Sequence, residues 1–322
     1  MTLRQLTLLN YKNIEEAELI FSPKINCLIG QNGEGKTNLL DAIHFLSFTK
    51  SAFNSIDSQI VRHEQPYMML KGIYESGNDT EEISCALQTG KRKNFRRNGK
   101  EYKKFSEHIG LIPLIMISPS DSELIIGGSE NRRRFIDMTI SQFNPIYIAS
   151  LARYAKALQQ KNIMLKAEEE PNVEVISMYE EIMAETGEYI FKERDKFIND
   201  FIPFFQKYYS FISGNHENVS IKYTSHGQRG PLLSTIQNNR YKERIVGYSL
   251  YGVHKDDLEM LIDSYPIKRE GSQGQNKTYL IALKLAQFEF IKKSNKSNSP
   301  ILLLDDIFDK LDATRVSNII NL

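Results

Sequence analysis

Eight residues, Gly30-Gln31-Asn32-Gly33-Glu34-Gly35-Lys36-Thr37, constrain this chain more than any other stretch in it. They follow an apolar run, Ile25 to Ile29, that reads as a strand, and they open a segment with Leu39, Leu40, Ile43 and Leu46 on one helical face. In the order strand, glycine-rich loop, helix, the loop's backbone N-H groups converge beside a helix N-terminus, where the peptide dipoles favour an anion. The glycines keep side chains out of the concavity. The spacing fits a nucleoside triphosphate: the backbone N-H groups of Gly30, Gln31, Asn32, Gly33, Glu34, Gly35 and Lys36 would wrap the α- and β-phosphates, and the Lys36 side chain would reach the β- and γ-phosphates. Thr37 would bind Mg²⁺ through its hydroxyl, and Asn38 continues the binding segment.

The rest of the composition narrows the class by exclusion. A net charge of +1 gives no global field for nucleic acid, so any such contact must come from local patches. No run of about 18 apolar residues indicates a membrane span. Met1-Thr2-Leu3-Arg4 leads into strand-like alternation rather than a signal peptide, and the expectation is a cytoplasmic protein. Cys27 and Cys85 each sit in an apolar strand-like run, which predicts two buried free thiols. The six histidines lack ligand spacing, and no structural zinc is expected.

A second half of the nucleotide site lies near the other end, where Ile301-Leu302-Leu303-Leu304 runs into Asp305-Asp306. An apolar strand ending in a carboxylate suits the water shell of a Mg²⁺ ion opposite Thr37, which makes Asp305 the metal residue. Asp306, one position on, points toward the γ-phosphate, where a carboxylate orients or deprotonates attacking water. Between the two halves, Ser272-Gln273-Gly274-Gln275 enters an apolar helix through Tyr279, Leu280, Leu283 and Phe290. This segment resembles the signature motif of ABC-type ATPases, and Phe308-Asp309-Lys310-Leu311-Asp312 resembles their D-loop. The resemblance implies that Ser272, Gly274 and Gln275 form a second phosphate cradle, which meets the γ-phosphate held by a partner subunit, so that ATP joins two heads. Lys36, Ser272 and Asp306 are the catalytic candidates.

Between Lys36 and Asp305 lies more chain than a compact transporter ATPase needs, and far less than long coiled-coil arms require. Helical spacing at Ile148, Leu151, Ala155 and Leu158, and again at Met183, Ile190, Phe197 and Phe201, brackets a turn at Glu168-Glu169-Glu170-Pro171. The expected architecture is α/β: an ABC-type P-loop ATPase head, split and carrying an antiparallel β subdomain, formed by residues 1–135 and 245–322. A helical arm, residues 136–244, is inserted into it.

At this level of detail the chain resembles the RecF family of bacterial recombination-mediator ATPases. The similar stretches are Asn10-Tyr11-Lys12-Asn13, the P-loop through Leu40, Lys50-Ser51, Ser118-Pro119-Ser120-Asp121, Arg132-Arg133-Arg134-Phe135-Ile136-Asp137 and Gly252-Val253-His254-Lys255-Asp256-Asp257-Leu258. The resemblance implies a weak, DNA-stimulated ATPase, an ATP-dependent homodimer that clamps DNA at single-strand gaps, partnership with RecR and RecO in loading RecA, and a link to the SOS response. It also implies that Lys12 and Asn13 touch the nucleotide. No glutamine stands where a transporter-type Q-loop would put one, and that role is assigned to the turn at Ser118 to Asp121. In the family another strand, carrying a switch-loop residue, follows the D-loop. This sequence stops at Leu322, so the expectation is a head whose C-terminal end is missing. The alternatives are an SMC-type chromosome ATPase, which the short arm disfavours, and a transporter ATPase subunit, which lacks a membrane-coupling signature here.

For DNA, the best local signal is residues 91–104, where eight basic residues and one acid surround an Asn98-Gly99 pair. That pair predicts a type I′ hairpin projecting a positive ribbon, with Lys91, Lys93, Arg96, Arg97 and Lys100 on phosphates. The same composition also describes a solvated edge hairpin guarded by lysines. Arg132 to Arg134 either line the junction of head and arm or begin a surface helix.

Overall fold

The computed structural model describes residues 1–77, 79–214, 217–295, 298–307 and 313–320. In chain order its strands and helices are β1 (Thr2–Tyr11), β2 (Ile14–Ile20), α1 (Lys36–Phe48), β3 (Tyr67–Ser76), β4 (Asp79–Gln88), β5 (Asn94–Arg97), β6 (Lys100–Glu101) and β7 (Leu114–Ile117). These are followed by α2 (Glu123–Ile126), α3 (Ser129–Ser141), α4 (Pro145–Lys166), α5 (Val173–Ser213), β8 (Val219–Thr224), α6 (Leu232–Asn238) and α7 (Arg240–Val246). The last are β9 (Asp257–Ile262), β10 (Tyr265–Pro266), α8 (Ile267–Glu270), α9 (Gln273–Ser294), β11 (Ile301–Leu304) and α10 (Ala313–Ile320). The chain forms two compact units, residues 1–118 with 291–307, and residues 119–290 with 308–322.

The first unit is built on alternation. β3 buries Met68, Leu70, Gly72 and Tyr74 and exposes Tyr67, Met69 and Lys71 between them, the period of a strand with one wet face. It lies in a six-stranded antiparallel sheet of order β2-β1-β3-β4-β5-β6. Ala42, Ile43, Phe45 and Leu46 of α1 share a core with Leu6, Leu8, Leu70, Ile83 and Phe95 of this sheet. A separate parallel pair joins β11 to β7, from Ile301 opposite Leu114 to Leu304 opposite Ile117.

Two expectations about the segment before the glycine-rich loop fail. Ile25 to Ile29 pairs with no described strand, and Ile25 and Ile29 are 83% and 94% exposed. The Asn26 side chain instead ties this segment's backbone into a turn, accepting from Ser22 N-H at 2.8 Å and donating to Ser22 O at 2.9 Å, the kind of local bonding that competes with a ladder. Cys27 is therefore exposed. Cys85 is buried, and burial pushes its thiol up to about 12.

The second unit is mainly helical. Asn144 caps α4 by accepting from Tyr147 N-H, with Pro145 at the first helical position. Asn172 caps α5, accepting from Glu174 and Val175 N-H. α5 runs past Phe201, the last residue of its apolar pattern, and through Pro203, stopping at Gly214, which has the left-handed backbone that favours glycine there. Its aromatic stripe holds it in place: Phe205 and Tyr279 have ring centroids 4.6 Å apart, and Phe197 meets Phe290 edge-on at 5.0 Å. A three-stranded antiparallel sheet, β10-β9-β8, shares this core.

The compact units divide the chain differently from the expected lobes. β8 pairs with β9, and Tyr279 and Phe290 of α9 pack on α5, so residues 245–290 belong with the helical unit rather than with the P-loop unit.

Candidate nucleotide site and the polar networks around it

The loop from Gly30 to Gly35 ends in a helix N-terminus that no side chain caps. Four N-H groups at such an end have no intrahelical partner, which suits an anion. Gly35 has φ +98°, a backbone that side chains disfavour, and a Cβ there would come within 3.0 Å of Asn13 Oδ1. At Gly33, φ is +88° and nothing lies within 4 Å of where a Cβ would stand, so the concavity is open on that side.

β11 delivers Asp305 to this loop. Its N-H donates to Ile117 O at 2.9 Å, which continues the parallel ladder by one bond, and ligands in parallel sheets bind beyond such carboxyl ends. Thr37 Oγ1 lies 3.0 Å from both carboxylate oxygens of Asp305. One hydroxyl and one carboxylate, both hard oxygen donors, at the mouth of a phosphate-sized loop suit a divalent cation with part of its water shell retained. Asp306 follows with φ +49°, an unusual value for a non-glycine residue at a strand end.

Lys36 and Glu34 both fold onto their own loop. Lys36 Nζ donates to Gly30 O at 2.7 Å and to Gln31 O at 2.6 Å, while Glu34 accepts from Gln31 N-H at 2.7 Å. Asn13 donates to Gly33 O at 2.9 Å and accepts from Asn38 at 2.7 Å, so two predicted binding residues brace the loop from outside.

Lys12 does something else. Its ammonium sits 2.6 Å from the fully buried Asp41 carboxylate, which also accepts from Tyr11 Oη, Ser51 Oγ and Ala52 N-H, each at 2.7 Å. Burial, and then the charge of Asp41, hold the Tyr11 hydroxyl well above its ordinary value. Asp41 thereby gathers the Asn10 to Asn13 stretch, α1 and the Lys50-Ser51 pair into one knot. Sequence reasoning passed over it, although an acid inside the run Leu39 to Leu46 was the available signal.

The signature-like segment lies in the other unit. Ser272 N-H donates to Gln275 Oε1 at 2.8 Å and Gln275 N-H to Ser272 Oγ at 3.2 Å, a reciprocal box at the start of α9 that leaves the Ser272 hydroxyl proton free to donate outward. Gly274 is open apart from Arg315, whose nearest nitrogen is 3.8 Å from where a Cβ would stand. The D-loop-like stretch, Phe308 to Asp312, lies outside the described residues.

The remaining motifs form a second network. Arg132 grips Asp257 with two bonds, of 2.6 and 3.0 Å, and Arg133 donates to Asp256 O at 2.8 Å. Arg194 of α5 bridges Asp137 at 3.0 Å and Asp256 at 2.7 Å. The Arg132 to Asp137 and Gly252 to Leu258 stretches are thus two sides of one polar lock, which holds Arg132 on Asp257 and Arg133 on Asp256 O, while Arg134 is exposed. Asp121, in the turn given the Q-loop role, is paired with Lys284 at 2.6 Å.

The basic hairpin forms as expected, with Asn98 at φ +49° and Gly99 at φ +78°, as a type I′ turn requires. Lys91, Arg96, Arg97 and Lys100 are exposed, and Arg97 is bonded to Glu81 at 2.8 Å. Lys93 is not part of the ribbon. Its side chain is 7% exposed, donates to Thr49 O at 2.5 Å and pairs with Asp57 at 2.8 Å, because the strand period that exposes Arg96 turns residues 93 and 95 inward.

Residues 2–322 match the model of the RecF/RecN/SMC N-terminal domain family. The chain is 57% identical to the DNA replication and repair protein RecF of Phocaeicola vulgatus and 55% identical to that of Bacteroides fragilis, each over all of this chain and 87% of the relative. A solved structure of the recombination mediator protein RecF with ATP, from the RecFOR pathway, superposes with a TM-score of 0.92 at 28% identity, over 99% of this chain and 88% of that one. An SMC head bound to the C-terminal winged-helix domain of ScpA shares the fold, with a TM-score of 0.54 at 16% identity, over all of this chain and 85% of that one. Its P-loop, its paired Thr37 and Asp305, and this likeness along its whole length place the chain in the RecF family of DNA replication and repair proteins.

Proposed function

We propose that this protein is an ATP-driven DNA clamp of replication and repair, in which two copies close on each other around bound ATP and open on hydrolysis. The observation that carries it is the contact of Thr37 with Asp305 beside the uncapped start of α1, because it unites a phosphate cradle with a cation site. The triphosphate would lie along Gly30 to Asn38, with Lys36 leaving the carbonyls of Gly30 and Gln31 for the β- and γ-phosphates. Thr37 and Asp305 would hold Mg²⁺, which when bound offsets phosphate charge. Asp306 would accept a proton from the attacking water. Ser272, Gly274 and the N-terminus of α9 would cap the γ-phosphate of a second copy.

Support for the DNA role comes from the relatives, which are named DNA replication and repair protein RecF, and from solved structures described as RecF in the RecFOR pathway, one of them with ATP. The exposed part of the 91–104 hairpin would supply phosphate contacts without reading bases. RecR and RecO are the partners this reading entails, with RecA loading at single-strand gaps and SOS induction as its outcome.

Dimerisation is tested by light scattering with a slowly hydrolysed ATP analogue. Ser272→Arg should bind nucleotide and stay monomeric, and mixing it with Lys36→Ala should restore at most one composite site. Dimers of Ser272→Arg at wild-type strength would end the clamp reading.

A further inference from the structure

We propose that Arg315 is a positioning residue of the signature half-site: it cancels the Glu217 carboxylate beside the start of α9 and fixes the Gly274 peptide through Thr278. The inference rests on the reading that Ser272 and Gly274 meet a γ-phosphate from a second copy.

Glu217 creates the need. Its Oε1 accepts from Gln275 Nε2 at 3.0 Å, and Gln275 is the residue that closes the reciprocal box with Ser272. The carboxylate is largely enclosed, with 16% of its side chain exposed. A negative charge so close to the N-terminus of α9 opposes the approach of any phosphate, and it is poorly screened there.

Arg315 meets that charge with one arm and the helix with the other. One guanidinium nitrogen lies 3.2 Å from Glu217 Oε1, and the other donates to Thr278 Oγ1 at 2.6 Å. Thr278 in turn donates to Gly274 O at 2.8 Å, so the relay ends on the signature glycine's own peptide. One guanidinium nitrogen also stands 3.8 Å from where a Gly274 Cβ would be. Arg315 lies on α10, which follows the D-loop-like stretch in sequence. The planar fork suits these two acceptors in different directions, which a lysine ammonium could not match in the same geometry.

The signature of this role is charge rescue. In the full chain with Mg²⁺ and a slowly hydrolysed ATP analogue, Arg315→Ala should weaken self-association at least tenfold by light scattering. Adding Glu217→Gln should recover most of that loss, since the charge to be cancelled is gone. Arg315→Lys should fall between wild type and Arg315→Ala. Thermal melting of each variant reports folding. A merely structural Arg315 would not be rescued by Glu217→Gln, and wild-type association by Arg315→Ala, or a double variant as weak as Arg315→Ala, would overturn the proposal alone. A wild-type protein that stays monomeric with the analogue, or a Ser272→Arg variant that associates normally, would overturn the underlying reading and this proposal with it.

Discussion

Thr37 and Asp305 stand 268 positions apart in sequence, and the hydroxyl of one lies 3.0 Å from both carboxylate oxygens of the other. The distance is set by two rigid elements. α1 begins at Lys36, and β11 ends at Leu304, so each side chain projects from the terminus of a regular element rather than from the middle of a loop. Such termini hold functional groups more tightly than loops do.

Replacing Lys36 by Ala should lower nucleotide affinity by at least about tenfold, the scale of a charge-assisted hydrogen bond. The loop also loses the brace that Lys36 supplies through Gly30 O and Gln31 O. Titration calorimetry with ATP and Mg²⁺ measures the effect, and unchanged affinity would remove the P-loop from the mechanism.

Asp306→Asn should retain ATP while slowing its hydrolysis by at least about tenfold, since a positioned base typically contributes 10² to 10⁴. Single-turnover assays separate the two steps. A normal rate would assign the proton acceptor elsewhere.

For the hairpin, the triple change Lys91→Glu, Arg96→Glu and Lys100→Glu should weaken duplex DNA binding across sequences and flatten its salt dependence by about 0.9 log unit per lost phosphate contact. Lys93→Ala is the internal contrast. Because Lys93 is buried between Thr49 O and Asp57, its loss should lower the melting temperature and leave the salt slope alone. The opposite pattern would mean that Lys93 swings out to meet DNA.

Acid should weaken the fold through His108, which is buried, and His254, which is partly buried. His108 donates from Nε2 to Leu46 O at 2.7 Å and accepts at Nδ1 from Tyr102 Oη at 3.1 Å. His254 repeats the pattern with Ser249 O at 3.1 Å and Tyr154 Oη at 2.7 Å. Burial lowers each to about 4. Unfolded, each histidine titrates near 6.5, so between pH 6.5 and 4 the unfolded chain binds more protons. The stability each contributes by staying neutral is complete above pH 6.5 and is lost as pH falls toward 4, on the order of 3 kcal/mol apiece. Urea unfolding at several pH values checks this, and His254→Gln should flatten the dependence by up to about 1.4 kcal/mol per pH unit. An equally steep dependence in that variant would assign the acid sensitivity to other groups.

How much of this could be read from sequence depended on whether the signal was local. The P-loop helix, the turn at Asn98-Gly99 and the helical runs of α4 and α5 follow from residues within a few positions of one another, and the structure forms them where the pattern put them. Ile25 to Ile29 was misread because apolar composition marks what could pair, while a strand exists only if a partner does. Lys93 was misread because composition counts charges without saying which face of a strand they occupy. The side-chain networks were invisible for a third reason. Asp41 draws donors from residues 11, 12, 51 and 52, and Glu217 is reached from residues 275 and 315, and no local pattern foretells such meetings.

The Asp41 knot also governs how this protein can change over generations. Positions 11, 12 and 51 look like independent sites in sequence, yet each side chain serves the same sealed carboxylate. The first donor lost leaves a buried acid undersupplied and is costly, whereas later losses, once Asp41 itself has been replaced by an uncharged residue, cost less. Among relatives, Asp41 and its three side-chain donors should therefore be inherited as a block, with changes at one of these positions accompanied by changes at the others. A lineage that alters one alone should carry a compensating change within reach of the same carboxylate.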